Sequence, residues 1–156
     1  MTNSPDDKFI TDAVNKWSDT VFRVAFQYTL NRADAEDILQ DVFLQLIKTP
    51  PATENEGDIK AWLIRVTINK GKDFYRASKR RRAFGQNYSP HPQANDNSEV
   101  FEALSKLNER DRSAVYLHYY EGYTAREIAG ITGDNERAVT KRIARARTKL
   151  KNFLEE

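Results

Sequence analysis

A run of cations between residues 137 and 151 has the spacing of a nucleic-acid-binding helix. It follows a short predicted helix, residues 124–131, and a turn at Thr132, Gly133 and Asp134. A helix fits the major groove of duplex DNA, cations neutralise phosphates, and side chains near the helix N-terminus reach base edges. The cations are Arg137, Lys141, Arg142, Arg145, Arg147, Lys149 and Lys151. The layout is typical of a helix-turn-helix, although a basic helix of this kind can also be only a solvated surface.

A second basic segment, residues 60–82, ends in four consecutive cations, Lys79 to Arg82. One interpretation is a solvated helix end whose cations complement the helix macrodipole. The other is single-stranded or opened nucleic acid, because Trp62, Phe74 and Tyr75 are interleaved with cations and bases stack on aromatic rings. The interleaved cations are Lys60, Arg65, Lys70, Lys72 and Arg76.

Glu36, Asp37, Gln40 and Asp41 form one polar face of a predicted helix, residues 33–48. The plain interpretation is a solvated face. A metal site for a nuclease is a second interpretation, which the sequence does not favour because no histidine or further acid accompanies these carboxylates in a recognisable pattern. The remaining interpretation is a docking surface, where acids and glutamines beside exposed aliphatic residues meet a basic helix of a protein partner.

Other catalytic or cofactor chemistry has no support in the sequence. There is no cysteine and there are two histidines, His91 and His118, so a zinc site is not expected. Neither a serine, histidine and acid arrangement nor a glycine-rich phosphate loop is visible. The sequence therefore predicts no catalytic residue, no metal and no cofactor.

The elements that must position these groups are all helical. Apolar residues in 21–30 give a wide buried helical face, and Asn31 or Asp34 offers a cap for the next helix. Asp58 is a predicted cap, and Thr124 with Glu127 has capping-box spacing. Further helices are predicted at 33–48, 59–79, 99–107, 108–121, 124–131 and 135–153. With no convincing strand or repeat, the fold class is all-α, with three or four helices on each side of a linker.

The proline-, glycine- and asparagine-rich segment 83–98 is the predicted flexible linker, between domains at 1–82 and 99–156. The net charge of +2 hides four blocks of alternating sign. Residues 1–59 carry five basic and eleven acidic groups, and residues 60–84 carry nine and one. Because acidic and basic blocks alternate along the chain, we expect the protein to present separate surfaces to different partners. Without cysteine or a membrane-length apolar stretch, a cytoplasmic protein is expected, neither exported nor membrane-spanning.

Three segments in this order resemble the sigma-70 family of bacterial RNA polymerase sigma factors, specifically its compact extracytoplasmic-function (ECF) group. They are ADAEDILQDVFLQL, IKAWLIRVTINKGKDFYR, and LNERDRSAVYLHYYEGYTAREIAGITG with AVTKRIARARTKL. The resemblance covers about residues 17–152. It implies a helical bundle (sigma region 2) and a helix-turn-helix (sigma region 4), with core RNA polymerase and promoter DNA as partners. The polymerase contacts would be the clamp helices of the largest subunit and the flap, and an anti-sigma factor is a further implied partner.

Residue roles follow from the same resemblance. It assigns Asp37, Gln40, Asp41 and Phe43, beside Glu36, to polymerase docking. The 50–58 loop corresponds to the family's loop that captures a flipped-out base. The minus-10 element would be contacted by Lys60, Trp62, Arg65, Asn69, Lys70, Lys72, Asp73 and Arg76. The minus-35 element would be contacted by Arg137, Thr140, Lys141, Arg142, Ala144, Arg145 and Arg147.

Among the minus-10 residues, Trp62 is either a core residue or one that stacks on a base. Among the minus-35 residues, Arg137, Arg142 and Arg147 are suited to bind phosphates, and Ala144 offers only a methyl group, which could contact the methyl group of a thymine. Asp134 replaces the family's usual apolar residue in the turn and is a predicted N-cap of the last helix.

Two other functions fit part of the sequence. A helix-turn-helix regulator would bind a palindromic operator as a dimer without polymerase. An adaptor that sequesters another protein with its acidic helix would leave both basic blocks unexplained.

Overall fold

The computed structural model describes residues 7–85 and 99–155, and every regular element in these two ranges is helical. Contacts divide the chain into two compact units, with the division after Pro90. The first unit contains helices α1 (Asp7–Thr29), α2 (Arg32–Lys48) and α3 (Glu56–Ala83). The second contains α4 (Glu99–Ser105), α5 (Glu109–Val115), a π-helical turn (Tyr116–Tyr120), α6 (Ala125–Thr132) and α7 (Glu136–Leu154). The all-α prediction with two helical units is confirmed, while residues 86–98 of the predicted linker lie outside the described residues.

In the first unit, α1 packs against both α2 and α3. The shared core includes Val21, Val42, Leu46 and Leu63, each at most 1% exposed. Burial of these aliphatic side chains is the main stabilising contribution of the unit. Asn31 caps α2 as predicted, because its side chain accepts a hydrogen bond from the Asp34 N–H at 3.0 Å.

Two helix starts differ from the prediction. The first helix begins at Asp7 rather than near Val21, because Ala13 and Trp17, four residues apart, continue the buried face towards the N-terminus. The third begins at Glu56, so the prediction of Asp58 as its cap is wrong. Asn55 is the N-cap, and its side chain accepts a hydrogen bond from the Asp58 N–H at 3.1 Å.

The close approach of α1 and α3 depends on Gly71. This glycine is buried in the middle of α3 and faces the ring of Tyr28 in α1. A Cβ placed on it would lie 2.6 Å from the Tyr28 Cγ, which is closer than such atoms come. Gly71 is therefore required for packing, at a position where glycine by itself weakens a helix.

In the second unit, α7 packs against α4, α5 and α6. Leu107, Val115 and Ala146 are buried together, with Leu104 and Leu150 packed against them. Arg112 is also buried, and its Nη1 donates hydrogen bonds to the carbonyl oxygens of Leu107 at 2.7 Å and Leu104 at 3.4 Å. A charged donor thus satisfies the carbonyl oxygen of Leu107, just beyond α4, and is a second donor to that of Leu104, which also accepts from the Leu107 N–H at 3.1 Å.

The helix-turn-helix geometry follows directly from local sequence. The predicted capping box is present, since Thr124 Oγ1 accepts from the Glu127 N–H and the Glu127 carboxylate accepts from the Thr124 N–H. Helix α6 then ends at Gly133, which has φ of 82°. A left-handed residue at this place is the usual end of a helix and turns the chain into α7.

Candidate nucleic-acid and protein interfaces

The exposed face of α7 carries most of the residues predicted to contact duplex DNA. A helix advances about 100° per residue, so Arg137, Lys141, Ala144 and Thr148 lie along one arc, and Val139 and Ile143 lie opposite in the core. Residues Thr140 and Arg147 flank this arc on one side. The face is therefore exposed, basic and continuous, as a helix that enters a major groove must be.

Arg142 is held inside the second unit. Its Nη1 donates a hydrogen bond to Asp134 Oδ2 at 2.7 Å, and its side chain is 17% exposed. Thr132 Oγ1 donates to the same carboxylate at 3.0 Å. The ion pair ties the turn to the second turn of α7, so Arg142 already has a structural role where sequence suggested only phosphate contact.

The predicted cap at Asp134 is wrong. The N-cap of α7 is the next residue, Asn135, whose side chain accepts a hydrogen bond from the Ala138 N–H at 2.7 Å. The Asp134 carboxylate is instead occupied by Thr132 and Arg142.

Arg145 makes a bidentate contact with Asp111 of α5. Nη2 donates to Oδ1 at 2.7 Å and Nε donates to Oδ2 at 3.0 Å. The Asp111 side chain is fully buried, while that of Arg145 is 51% exposed. The hydrogen bond to Asp111 and the negative charge of this carboxylate raise the pKa of Arg145 above its ordinary value, so the guanidinium stays charged.

In the first unit, the exposed face of α3 carries a basic stripe. Arg65, Asn69, Lys72 and Arg76 recur at spacings of four, three and four residues, which places them on one side of the helix. The stripe continues towards the exposed cations Arg80, Arg81 and Arg82. By the same geometry Lys60 lies on the opposite side of α3, away from this stripe, although the sequence resemblance grouped it with these residues as a minus-10 contact.

Trp62 adjoins this stripe but is partly buried, and its ring packs against the core of the first unit. Phe74 packs against the same core. Both rings therefore have a structural role, and stacking of Trp62 on DNA stays a prediction.

The exposed face of α2 carries a second stripe of different chemistry. Asp37, Gln40 and Asp41 are exposed, and two exposed aliphatic residues, Leu44 and Ile47, extend the face one and two turns further. Glu36 lies at the edge of this face, where Arg32 Nε donates a hydrogen bond to its Oε1 at 3.1 Å. The face combines charge and apolar area, which is the composition expected of a protein-docking surface.

Phe43 does not belong to that face. Its side chain is 8% exposed and lies in the core of the first unit, so the expectation that it contributes to the docking surface is wrong. Its place on the exposed face is taken by Leu44, which is 50% exposed.

A cavity of about 330 Å³ links α2 with α3. Asp34, Asp37 and Asp41 line it from α2, and Lys70 and Asp73 line it from α3. The sequence resemblance placed both α3 residues, Lys70 and Asp73, among the minus-10 contacts. Their position beside the acidic face separates them from Arg65 and Asn69, although Asp73 keeps one contact with the stripe through Arg76 Nη1 at 3.4 Å.

Comparisons with known proteins agree on one family for both units. Residues 13–81 match the family model described as sigma-70 region 2, and residues 98–150 match that described as sigma-70, region 4. The chain is 30% identical over 135 residues to the RNA polymerase sigma factor CarQ of Myxococcus xanthus. The match covers 81% of this chain and 78% of CarQ.

The chain belongs to the sigma-70 family. It falls in the ECF group, with 30% identity over 156 residues to the ECF RNA polymerase sigma factor SigE of Mycolicibacterium smegmatis. That match covers 92% of this sigma factor but 60% of SigE. The fold agrees with the sigma factor RpoE of Bartonella quintana, solved with the anti-sigma factor NepR, at a TM-score of 0.76. The identity is 22%, over 95% of this chain and 98% of RpoE.

The sigma factor has a further cavity beside the loop that precedes α3. Its volume is about 480 Å³, and Pro50, Pro51, Trp17 and Ile59 form apolar walls. The rim is polar and includes Asp12, Lys16, Thr53, Glu54 and Glu56. A cavity of this size with apolar walls and a few polar groups suits a planar ring. It lies at the loop that sequence assigned to a flipped-out base, and that assignment stays a prediction.

Within residues 7–85 and 99–155 of this sigma factor, no group of three or more histidine, aspartate or glutamate side chains is placed to hold a metal ion. No helix in the same ranges is both long enough and apolar enough to cross a membrane.

Sequence reasoning missed two exposed residues of the α2 face, Leu44 and Ile47, and the buried Asp111 that binds Arg145. The two aliphatic residues could have been found, because Leu44 lies seven residues after Asp37 and Ile47 lies seven after Gln40, which is about two helical turns. Asp111 gave no local signal, since its partner lies 34 positions away.

Proposed function

We propose that this sigma factor binds core RNA polymerase and directs initiation at promoters, reading a minus-10 element with the first unit and a minus-35 element with the second. The chain itself catalyses no reaction in this proposal. The observation that carries it is the presence of three exposed surfaces on different helices, an acidic and apolar one on α2 and basic ones on α3 and α7, within a chain of the sigma-70 family.

The α2 face is the polymerase-docking surface. Asp37, Gln40 and Asp41 supply charge complementary to a basic helix, and Leu44 and Ile47 supply apolar area that such a helix covers. The proposed contact is the pair of clamp helices in the largest polymerase subunit. Glu36 lies at the edge of this surface, and the flap is proposed as a second polymerase contact.

The α3 stripe holds the unpaired minus-10 strand. Arg65, Lys72 and Arg76 neutralise phosphates of that strand, and Asn69 adds hydrogen bonds. The cavity beside residues 50–55, the part of the predicted 50–58 loop that precedes α3, is the proposed place for one flipped base. Lys60, Lys70 and Asp73 are secondary members of this group, because the structure places them away from the stripe.

The α7 face reads duplex DNA at minus-35. Thr140, Lys141 and Ala144 are proposed to face bases, and Arg137 and Arg147 are proposed to hold phosphates. Regulation by an anti-sigma factor and a cytoplasmic location belong to the same proposal. The structure of the sigma factor RpoE includes the anti-sigma factor NepR, and that of CnrH includes the cytosolic domain of CnrY.

The experiment is in vitro transcription with core polymerase on a library of genomic fragments. Discrete start sites that depend on the added protein, preceded by two shared sequence elements, are the expected result. Active core enzyme and soluble protein that direct no specific start would contradict the proposal. The operator-binding alternative predicts instead a palindromic site bound by a dimer without polymerase.

A further inference from the structure

The contact between Asp111 and Arg145 fixes one edge of a guanidinium group and leaves another open. A guanidinium has five N–H donors in a rigid plane. Asp111 accepts one hydrogen bond from Nε and one from Nη2, and these two nitrogens together form the side edge of the group. Among the described residues, nothing accepts a hydrogen bond from Nη1. The end edge, formed by Nη1 and the second hydrogen of Nη2, therefore remains available.

Asp111 is held firmly in place. It is fully buried, and its backbone N–H donates to Asn108 Oδ1 at 2.8 Å, which caps α5. Its carboxylate also lies 3.4 Å from the Asn108 Nδ2 donor. Because the acid cannot turn to solvent, the bidentate contact sets the plane of the Arg145 guanidinium as well as its position.

Arg145 lies beside the proposed DNA face. Arg145 is one turn beyond Lys141 and two turns beyond Arg137, at the flank of the exposed arc of α7. Half of its side chain is exposed although two of its nitrogens are bound. Two parallel donors on a planar edge match the O6 and N7 acceptors that guanine presents in the major groove.

We propose that Asp111, a buried residue of α5 outside the proposed DNA-reading face of α7, positions Arg145 to read one guanine of the minus-35 element. Asp111 is a positioning residue in this assignment, and Arg145 makes the base contact. The inference rests on the proposed function, because it needs α7 to lie in the major groove. It differs from a simple phosphate contact, which would need no fixed guanidinium plane.

The test is competitive transcription by core polymerase and the full-length protein on promoters with a randomised minus-35 element. The readout is the ratio of initiation with guanine to initiation with each other base at every position. All promoters in one reaction compete for the same folded molecules, so the ratio does not change when a variant is partly unfolded. The variants are Arg145→Ala, Asp111→Asn and the two combined.

The wild type is expected to prefer guanine at one position by about 10- to 100-fold, as for a good bidentate contact. Arg145→Ala should abolish that preference and leave the other positions unchanged. Asp111→Asn should lose part of the preference at the same position, by roughly threefold or more. The double variant should match Arg145→Ala, because the two residues act as one unit.

Asp134→Asn is the matched control. It removes the carboxylate of the ion pair between Asp134 and Arg142, so it should lower stability without changing any base preference. Loss of stability with unchanged ratios in Asp111→Asn would overturn the inference and leave Asp111 with a purely structural role. Equal loss on all promoters in Arg145→Ala would also overturn it. Failure of the wild type on every promoter would instead overturn the proposed function, and this inference with it.

Discussion

The ring of Tyr28 in α1 lies directly over Gly71 in α3, 2.6 Å from the point where a Cβ would be. A Cβ at this position costs about 1 to 3 kcal/mol, because the ring or the helix must move. The gain in helix propensity, about 1 kcal/mol, offsets only part of this cost, so Gly71→Ala should destabilise the first unit by up to about 2 kcal/mol. Urea unfolding of the full chain measures the difference.

Gly130→Ala is the matched control for this prediction. Gly130 lies inside α6 with nothing within 4 Å of a Cβ, so the same substitution should stabilise the second unit by about 0.5 to 1 kcal/mol. If both glycines responded alike, the packing explanation for Gly71 would have to be abandoned.

Asp37→Arg combined with Asp41→Arg should abolish association with core polymerase. Both side chains are exposed, so the fold should remain intact while two attractive charges become repulsive ones. Co-purification with core enzyme measures the effect, and circular dichroism checks the fold. Asp19→Arg, on an exposed position of α1, is the control for charge reversal. Unchanged co-purification of the double variant would remove α2 as the docking surface.

Stability of the second unit should depend on pH through Glu127. Hydrogen bonding from the Thr124 N–H, and then from its side chain, lowers the pKa of Glu127 below its ordinary value of 4.5. A lowered pKa in the folded state means that the stabilisation is present above pH 4.5 and is lost as pH falls through the folded value.

Glu127→Gln keeps a capping side chain but removes the charge. The stability difference between wild type and Glu127→Gln should therefore shrink as pH falls from 6 to 3. Thermal unfolding of both proteins across this range is the measurement. A difference that is independent of pH would show that the charge of Glu127 contributes nothing to the cap.

Trp62→Ala should cost about 3 kcal/mol or more of stability, because its partly buried ring packs against the core of the first unit. Permanganate footprinting of the minus-10 region, at a temperature where the variant is folded, measures promoter opening separately. Normal opening by the folded variant would make Trp62 a core residue only. Loss of opening would add stacking on DNA to its role.

Features that depend on neighbouring residues were predictable from the sequence. The cap at Asn31 and the capping box of Thr124 and Glu127 involve backbone groups three residues away, so residue type and spacing determine them. The same holds for the helical face of Val139 and Ile143, which the 3.6-residue period places in the core.

Features that depend on distant residues were not predictable. The distance between Asp111 and Arg145 is set by the packing of α5 on α7, and no local pattern relates the two. Phe43 was misplaced because a resemblance assigns a position to a surface without showing which way the side chain faces. The Asp58 cap failed because Asn55 and Asp58, three residues apart, both have capping side chains and only the actual helix start distinguishes them.

The α2 face has a consequence for how salt affects docking. Its N-terminal part, with Asp37 and Asp41, attracts through charge, and ions of any kind screen that attraction. Its C-terminal part, with Leu44 and Ile47, attracts through apolar burial, which sulfate strengthens because that ion is excluded from protein surfaces. A partner that covers the whole face should therefore be released more readily by sodium chloride than by sodium sulfate at equal ionic strength.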